Sequence, residues 1–203
     1  MAEHSRYRVS AKGSGMDGDV LRNKPGIKNQ KELEDAETLL LSDAYEHFFD
    51  KLTTGGLQFD LPFLFQIHTY FLDPLYSWAG KIRRINISKD DVLFAPAVYL
   101  EQSLKTFEIE LAKLLPSIKD SQKAVAHKLA IIHNELNALH PFREGNGRTI
   151  RLFLDLLSAS IGYEPIDWSK SSNEKYIQAC KKGMAADHST MKKIIYFGLK
   201  KQK

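Results

Sequence analysis

The residues that decide the fold and the chemistry of this chain are 140–151, which read His-Pro-Phe-Arg-Glu-Gly-Asn-Gly-Arg-Thr-Ile-Arg. His140 can take up a proton near neutral pH. Glu144 offers the hard oxygen ligand that Mg²⁺ prefers, and the glycine-containing loop 145–147 lets backbone N–H groups come close to a phosphate. A base, a metal ligand and an anion-binding loop in one short stretch indicate phosphate chemistry.

The loop formed by Gly145, Asn146 and Gly147 leads directly into a predicted helix. A helix N-terminus binds anions because its N–H groups are unpaired and the helix dipole is positive there. We expect the side-chain amide of Asn146 to donate to the anion as well. Arg148 and Arg151 are three residues apart and share a face of this helix. Two guanidinium groups beside an anion site favour a ligand with several phosphates.

His140 precedes the loop at the point where Pro141 forces the chain out of the preceding helix. This position suits a base that meets an incoming hydroxyl group. The only thiol, Cys180, is distant in sequence, so direct transfer to an external hydroxyl is simpler than a covalent intermediate. Positioning and charge neutralisation would then supply most of the rate, as in phosphoryl transfer generally.

The composition is that of one ordinary globular domain. The chain has 203 residues and a formal net charge of +4, partly from lysines in the tail 200–203, and no basic stripe carries aromatic residues between its charges. We therefore expect no nucleic-acid partner. One cysteine excludes an intrachain disulfide and a cysteine-based zinc site. No apolar run approaches the ~20 residues of a membrane span, and no signal segment is evident. The expected location is the cytoplasm; export by a specialised secretion machine would leave no recognisable mark.

The hydrophobic periodicity predicts a mostly α-helical single domain with a β-hairpin insert. The hairpin is predicted over residues 85–94, with a polar turn at 89–91. We expect residues 1–18 to form a flexible arm and residues 200–203 a basic tail.

The predicted helices cover residues 29–49, with Asn29 as N-cap, 61–72, 99–114, and 121–139, with Ser121 as N-cap. They continue with a helix from the end of the glycine loop to residue 161, a segment beginning at Asp167 or Ser169, and a last helix through residues 191–199. The helix 121–139 carries one apolar stripe, formed by Val125, Leu129, Ile132, Leu136 and Leu139. His68, on the helix 61–72, is expected to be a boundary or core histidine rather than a ligand.

The stretch from His140 to Arg151 resembles the Fic family signature, His-x-Phe-x-Asp/Glu-Gly-Asn-Gly-Arg-x-x-Arg, at every defined position. Further similarity to the family lies in residues 19–24, in the Trp-Ala-Gly turn of residues 76–80 and in Gly162-Tyr163. The resemblance covers roughly residues 19–199. It implies a Fic-type helical bundle that transfers AMP from ATP to a Ser, Thr or Tyr hydroxyl of a target protein. Such enzymes serve as bacterial toxins, or as effectors secreted into a host cell.

The resemblance also implies a role for each matching residue. His140 would deprotonate the target hydroxyl, Glu144 would bind Mg²⁺, and Arg148 and Arg151 would hold the β- and γ-phosphates. The hairpin would be the flap on which the target's modified segment aligns by strand pairing. The remaining expected nucleotide-binding residues are Gly145, Asn146 and Gly147 in the anion hole, Tyr176 at the adenine, and Ile87, Ser88, Lys89 and Asp90 on the flap.

Many Fic enzymes are restrained by a helix with the pattern Ser/Thr-x-x-x-Glu-Gly/Asn, and this chain lacks that pattern. The nearest match is Ser42 to Glu46, where His47 replaces Gly or Asn. That segment is predicted to be the domain's own first helix. The resemblance therefore favours an inhibitor on a separate, antitoxin-like chain whose glutamate pairs with Arg151.

Three alternatives compete with AMP transfer. Some Fic proteins transfer phosphate, UMP or phosphocholine, but these often depart from Gly-Asn-Gly, which is intact here. A metal-dependent hydrolase would use His127, His133 and His140, whose spacings of six and seven miss the i, i+4 arrangement of helical metal ligands. A non-catalytic nucleotide-binding module would need neither His140 nor Glu144.

Overall fold

The computed structural model describes residues 8–9, 15–17, 20–89 and 92–202, and within them the chain is one mainly helical domain. The predicted fold class is thus confirmed. The helices are α1 Gln30–Thr54, α2 Leu61–Leu72, α3 Leu100–Leu114, α4 Gln122–Leu139, α5 Asn146–Ser160, α6 Asn173–Gly183 and α7 Ser189–Gly198. The strands are β1 Arg8–Val9, β2 Met16–Asp17, β3 Val20–Leu21, β4 Ile87–Lys89 and β5 Val92–Leu93.

Helix α4 is the centre of the bundle and packs against α3, α5, α6 and α7. Its N-cap is Ser121, whose side chain accepts from the N–H of Ala124. The stripe that the sequence predicts lies in the core: Val125, Leu129, Ile132, Leu136 and Leu139. Each buried aliphatic side chain contributes roughly 1.5–3 kcal/mol. This stripe fixes α4 in the core and so fixes His140 at its C-terminal end.

Helix α1 begins after Asn29, whose side chain accepts from the N–H groups of the first turn, as the sequence predicts. Its inner face buries Leu33, Ala44 and Phe48. Glu37 lies on the same face and is only 7% exposed. A carboxylate on a buried apolar stripe requires a partner, and α1 therefore brings a charge toward the interior.

Two helices begin elsewhere than predicted. Helix α5 begins at Asn146, inside the predicted loop 145–147, because Gly145 adopts the left-handed N-cap conformation and Asn146 is already helical. Helix α6 begins after Ser172, which caps it. Asp167 instead caps the short 3₁₀ turn 168–170, so the prediction of a helix start at Asp167 or Ser169 was wrong for α6.

The predicted hairpin consists of the short antiparallel strands β4 and β5, in which Ser88 pairs with Leu93. The opposite edge of β4 is occupied by β1, with Arg8 opposite Ser88, so β4 is the middle strand of three. Strands β2 and β3 form a second small hairpin. Parts of the expected flexible arm thus lie in strands. No helix of the described residues is long and apolar enough to span a bilayer.

Candidate active site

His140 is the C-cap of α4 and has a left-handed backbone, with φ of 48° and ψ of 61°. Its N–H still donates to the carbonyl of Leu136, so the turn stays attached to the helix. Its ring Nδ1 lies 3.0 Å from the carbonyl oxygen of Asn137. A carbonyl can only accept, so Nδ1 carries the proton and Nε2 has the lone pair. The backbone therefore selects the tautomer that a general base needs.

The His140 ring is buried, with 3% exposure, and stacks on Phe94 at a centroid distance of 3.7 Å. The pKa of His140 is lowered to about 3, mainly by burial. The bond to the Asn137 carbonyl works in the opposite direction, and the charges of Arg83 and Lys89 add to the lowering. The imidazole is thus neutral throughout the physiological range and can accept a proton.

Asn146 closes the turn formed by residues 140–146, called the catalytic turn below. Its Oδ1 accepts from the N–H of Phe142 at 2.8 Å, and its Nδ2 donates to the carbonyl of Phe142 at 2.8 Å. Asn146 is fully buried. We expected this amide to donate to the bound anion, but the structure uses it to hold the turn. The first-turn N–H groups of α5, including those of Gly147 and Arg148, have no intrahelical acceptor and are the available donors.

Gly145 is required by its conformation and by its surroundings. Its φ is +80°, and a Cβ there would lie 2.7 Å from Cδ1 of Leu72. At Gly147 a Cβ would meet nothing within 4 Å. The first glycine therefore packs into the core, while the second leaves space on the side where a ligand can approach the helix N-terminus.

His68, a residue of α2, bonds to the backbone of the catalytic turn. Its Nδ1 accepts from the N–H of Gly80 at 2.8 Å, and its Nε2 donates to the carbonyl of Glu144 at 2.9 Å. Its ring stacks on Phe142 at a centroid distance of 3.7 Å. Burial lowers the pKa of His68 to about 4, so it stays neutral. His68 is a core histidine, as the sequence favoured, and it joins the Trp-Ala-Gly turn to the catalytic loop.

Glu144 is partly exposed at the mouth of the site. One carboxylate oxygen accepts from the N–H of Gly145 at 2.9 Å and lies 3.8 Å from the guanidinium of Arg148. Burial is the main reason why the pKa of Glu144 is raised. Mg²⁺ is usually held by one or two carboxylates together with substrate phosphates. A single accessible carboxylate beside an anion site fits that requirement.

Arg148 is held by a carboxylate of this same chain. Its guanidinium donates to Glu37 at 2.7 Å and lies over the ring of Phe71, 5.7 Å from the centroid. Tyr76 donates its hydroxyl to the other oxygen of Glu37. Burial works to lower the pKa of Arg148, but Glu37 and Glu144 outweigh it and the pKa is raised. Arg148 is thus a permanently charged group of fixed orientation.

Arg151 points toward α6 and has different neighbours from Arg148. Its guanidinium lies 5.7 Å from the ring centroid of Tyr176, a cation–π contact. The Tyr176 hydroxyl is 2.7 Å from Nε2 of His133, and its ring meets Trp168 edge-on. No ion pair in the described part of the chain involves Arg151. The two arginines lie near the start of the same helix but have different partners, Glu37 for Arg148 and Tyr176 for Arg151.

The expected flap residues lie next to this site. Ile87 is buried, whereas Ser88 and Lys89 are partly exposed. Asp90 lies outside the described residues. Lys89 is near enough to lower the pKa of both His140 and Cys180. Burial nevertheless raises the pKa of Cys180 to about 11, so it remains an unreactive thiol.

The zinc alternative receives no support. The described residues contain no group of three or more His, Cys, Asp or Glu side chains able to hold a metal ion. His133 and His140 are engaged in the separate contacts given above.

Four residues of the site were missed by the sequence reasoning: Glu37, His68, Tyr76 and Arg83. His68 was expected only to be a boundary or core histidine, and Tyr76 only to belong to the turn that resembles the family. A signal existed for Glu37, since it interrupts the apolar stripe of α1 at Leu33, Ala36 and Leu40. The others bond to backbone groups or to residues far away in sequence, for which no local pattern exists.

The Fic/DOC family profile matches residues 58–158. A probable protein adenylyltransferase of Sinorhizobium fredii is 33% identical over 169 residues, covering 83% of this chain and 85% of its own length. A probable protein adenylyltransferase Fic of Escherichia coli is 29% identical over 179 residues, covering 87% and 86%. The N-terminal Fic domain of a VirB-translocated Bep effector protein from Bartonella quintana, solved with bound ADP, superposes with a TM-score of 0.76 at 27% identity, covering 91% of this chain and 92% of its own. The chain belongs to the Fic/DOC family.

Proposed function

We propose that this chain is a protein adenylyltransferase, which transfers AMP from ATP to a Ser, Thr or Tyr hydroxyl of a target protein. The observation that carries the proposal is the neutral imidazole of His140, held with Nδ1 bonded to Asn137 beside the N-terminus of α5. The names of the relatives in Sinorhizobium fredii and Escherichia coli support the same activity. Bound ADP in the Bartonella quintana structure supports a nucleotide ligand.

The triphosphate would lie at the N-terminus of α5. The first-turn N–H groups of Asn146, Gly147 and Arg148 provide donors, whereas that of Gly145 already bonds to Glu144, and the helix dipole favours the negative charge. Arg148 and Arg151 flank this point and would neutralise the β- and γ-phosphates. Glu37 keeps the Arg148 guanidinium in one orientation, so little conformational entropy is lost when it meets the ligand. Tyr176 would support the adenine, and Ile87, Ser88, Lys89 and Asp90 would border the nucleotide from the hairpin.

Glu144 would hold Mg²⁺ together with the phosphates. The ion would neutralise charge on the phosphates and on the leaving pyrophosphate. The hydrogen bond from the N–H of Gly145 to Glu144 fixes the carboxylate next to the anion site.

In the transfer step the target hydroxyl oxygen attacks the α-phosphorus of ATP. A new O–P bond forms, the bond from the α-phosphorus to the bridging oxygen breaks, and pyrophosphate leaves with that electron pair. Nε2 of His140 takes the hydroxyl proton. A pKa of about 3 in the free chain keeps the base unprotonated, and the charge of the phosphates favours the imidazolium that forms.

The target would dock on the hairpin by strand addition. Leu93 is 78% exposed there, and Val98, just beyond the hairpin, is 80% exposed. Because Arg8–Val9 already pairs with one edge of β4, a target strand would either add beside β5 or replace β1. The exposed apolar side chains would then contact the target on either side of its modified residue.

An antitoxin-like partner would control the site through Arg151. Arg148 is already paired with Glu37, whereas Arg151 contacts the aromatic ring of Tyr176. A partner's glutamate can therefore reach Arg151 without displacing a carboxylate of this chain. The enzyme would work in the bacterial cytoplasm or, like the translocated effector of Bartonella quintana, after export into another cell.

Labelled ATP tests the proposal. The purified chain is incubated with Mg²⁺, a cell lysate and ATP labelled at either the α- or the γ-phosphate. We expect protein to retain label only from ATP labelled at the α-phosphate. Label retained only from the γ-phosphate would show that the chain phosphorylates its target and would contradict AMP transfer. His140→Ala should bind ATP nearly as well as the wild type and lose transfer by roughly 10²–10⁴-fold. Full transfer by that variant would exclude His140 as the base.

A further inference from the structure

Arg83 is a buried cation that the transfer chemistry described above does not use. It lies between the Trp-Ala-Gly turn and β4 and is only 4% exposed. No ion pair among the described residues involves it. Burial lowers the pKa of Arg83 to about 10, so the guanidinium keeps its charge at neutral pH. A buried charge without a counter-ion must be compensated by hydrogen bonds.

Half of that compensation comes from the end of helix α4. Arg83 Nε donates to the carbonyl of His140 at 2.7 Å, and Nη2 donates to the carbonyl of Leu139 at 3.2 Å. Carbonyls at a helix C-terminus have no intrahelical donor and carry the negative end of the helix dipole. Arg83 thus caps α4 at the residue that bears the base.

The other half comes from the hairpin. Arg83 Nη1 donates to the carbonyl of Ile85 at 2.7 Å, and Nη2 also donates to the carbonyl of Ala95, which follows β5. These acceptors lie on both arms of the hairpin. Two backbone bonds complete the junction: Arg83 N–H to the carbonyl of Pro141 at 2.9 Å, and Ala95 N–H to the carbonyl of Ala138 at 3.0 Å.

We propose that Arg83 is a positioning residue that couples the hairpin to the base, so that one guanidinium sets both the docking strand and the orientation of His140. The proposal rests on the proposed AMP transfer. The left-handed backbone of His140 is unfavourable for a residue with a Cβ and persists only where its surroundings over-determine it. Arg83 bonds directly to the carbonyl of His140. Phe94, which adjoins Ala95, holds the ring by stacking.

The test uses Arg83→Met, Arg83→Lys and, as a matched control, Arg84→Met, which removes the exposed arginine next to it. For Arg83→Met we expect kcat for target modification to fall about 100-fold, the size of effect that a 1 Å misplacement can produce. The Kd for ATP should stay within about twofold, because the proposed phosphate contacts are built on α5 and only the contacts of residues 87–90 lie on the hairpin. Arg83→Lys should lose about tenfold in kcat, because an ammonium cannot donate to all four carbonyls in this planar arrangement. Arg84→Met should match the wild type.

Histidine titration by NMR provides a readout that a merely structural arginine would not change. Arg83 and Lys89 are the two positive groups that lower the pKa of His140. Arg83→Met should therefore raise the His140 pKa and move the acid limb of the rate profile to higher pH, whereas Arg83→Lys should leave both near the wild-type position. This titration needs no turnover, so it tests the coupling even if the wild-type chain transferred no AMP.

An unchanged His140 pKa in Arg83→Met, or equal losses of ATP affinity and kcat, would overturn the proposal. If Arg83→Met does not fold, Arg83→Lys decides. A tenfold loss of kcat at constant Kd for ATP supports the coupling, and wild-type kinetics contradict it.

Discussion

The catalytic turn and the hairpin next to it are built in opposite ways. In the turn, buried side chains bond to backbone groups: Asn146 to Phe142, His68 to Glu144, and His140 to Asn137. The hairpin consists of strands of three and two residues, and Leu93 is largely exposed on it. The turn is therefore fixed before any ligand arrives, whereas the hairpin offers backbone groups and apolar side chains to a partner.

This contrast separates chemistry from recognition. AMP transfer requires that the reacting groups be placed to within a fraction of an ångström. The buried hydrogen bonds of the turn fix these positions. Strand addition depends on main-chain groups that every target has, so specificity comes from a few exposed side chains. If this division holds, changes in the turn should affect stability and rate, and changes to the exposed side chains of the hairpin should affect only the binding of the target.

The largest effect should come from acid, because three neutral histidines stabilise the turn and its surroundings. Burial lowers the pKa of His68 and His133 to about 4 and that of His140 to about 3. The unfolded chain binds protons near pH 6.5, so this stabilisation is complete above pH 6.5 and is lost as the pH falls toward 4. Asp155, whose pKa burial raises to about 6, works in the opposite direction.

We expect the free energy of unfolding to fall by about 3 kcal/mol between pH 7.5 and 5.5, since each pKa unit is worth about 1.4 kcal/mol. Urea denaturation at both pH values measures it. His133→Gln, which can still bond to Tyr176, should show a smaller difference between the two. Equal stability of the wild type at both pH values would mean that these imidazoles are not held neutral.

Asn146→Ala should have the next largest effect. It leaves the N–H and the carbonyl of Phe142 without their side-chain partner in a buried turn, which costs on the order of 2 kcal/mol. The transfer rate should fall as well, because the turn that carries His140 loosens. Thermal or urea denaturation and the labelled-ATP assay measure the two effects.

Asn137→Ala is the matched control for that substitution, because the one hydrogen bond of the Asn137 amide to another described residue is a 3.9 Å contact with the sulfur of Met184. Its loss of stability should be within about 0.5 kcal/mol. Equal costs for the two asparagines would contradict the view that side-chain bonds hold the turn rigid.

Leu93→Ser should have the smallest effect. Leu93 is 78% exposed, so stability should change by less than about 0.5 kcal/mol and the Kd for ATP should not change. The KM for the target should rise a few-fold. Leu39→Ser, which replaces an equally exposed leucine on α1 (72%), should leave this KM unchanged. A similar rise in KM in both variants would indicate nonspecific hydrophobic contacts with the target rather than docking on the hairpin.

The sequence predicted the parts of the molecule whose causes are local. The caps Asn29 and Ser121 and the stripe of α4 follow from spacing and side-chain chemistry, and the structure confirms them. The start of α5 was misplaced because Gly-Asn-Gly is typical of a loop, although Asn146 is already helical. The pairing of Glu37 with Arg148 spans 111 residues, and no spacing rule reaches so far.

Arg83 was beyond prediction for a different reason. All four of its side-chain acceptors are backbone carbonyls, which are the same in every residue and leave no trace in the sequence. Residues 1–18 were expected to form a flexible arm, so the pairing of Arg8 with Ser88 could not be foreseen. For the candidate site, the sequence pointed to the residues that would touch the ligand, and the structure adds the residues that hold them.

The bridging role of His68 has a consequence for how such chains vary. One imidazole bonds to Gly80 on one side and to Glu144 on the other, so the Trp-Ala-Gly turn and the Gly-Asn-Gly loop are two ends of a single brace. A recombination event that exchanged one of these segments between relatives, but not the helix bearing His68, would join parts that were never fitted to each other. The useful unit for building chimeras is therefore the whole run from α2 to the first turn of α5.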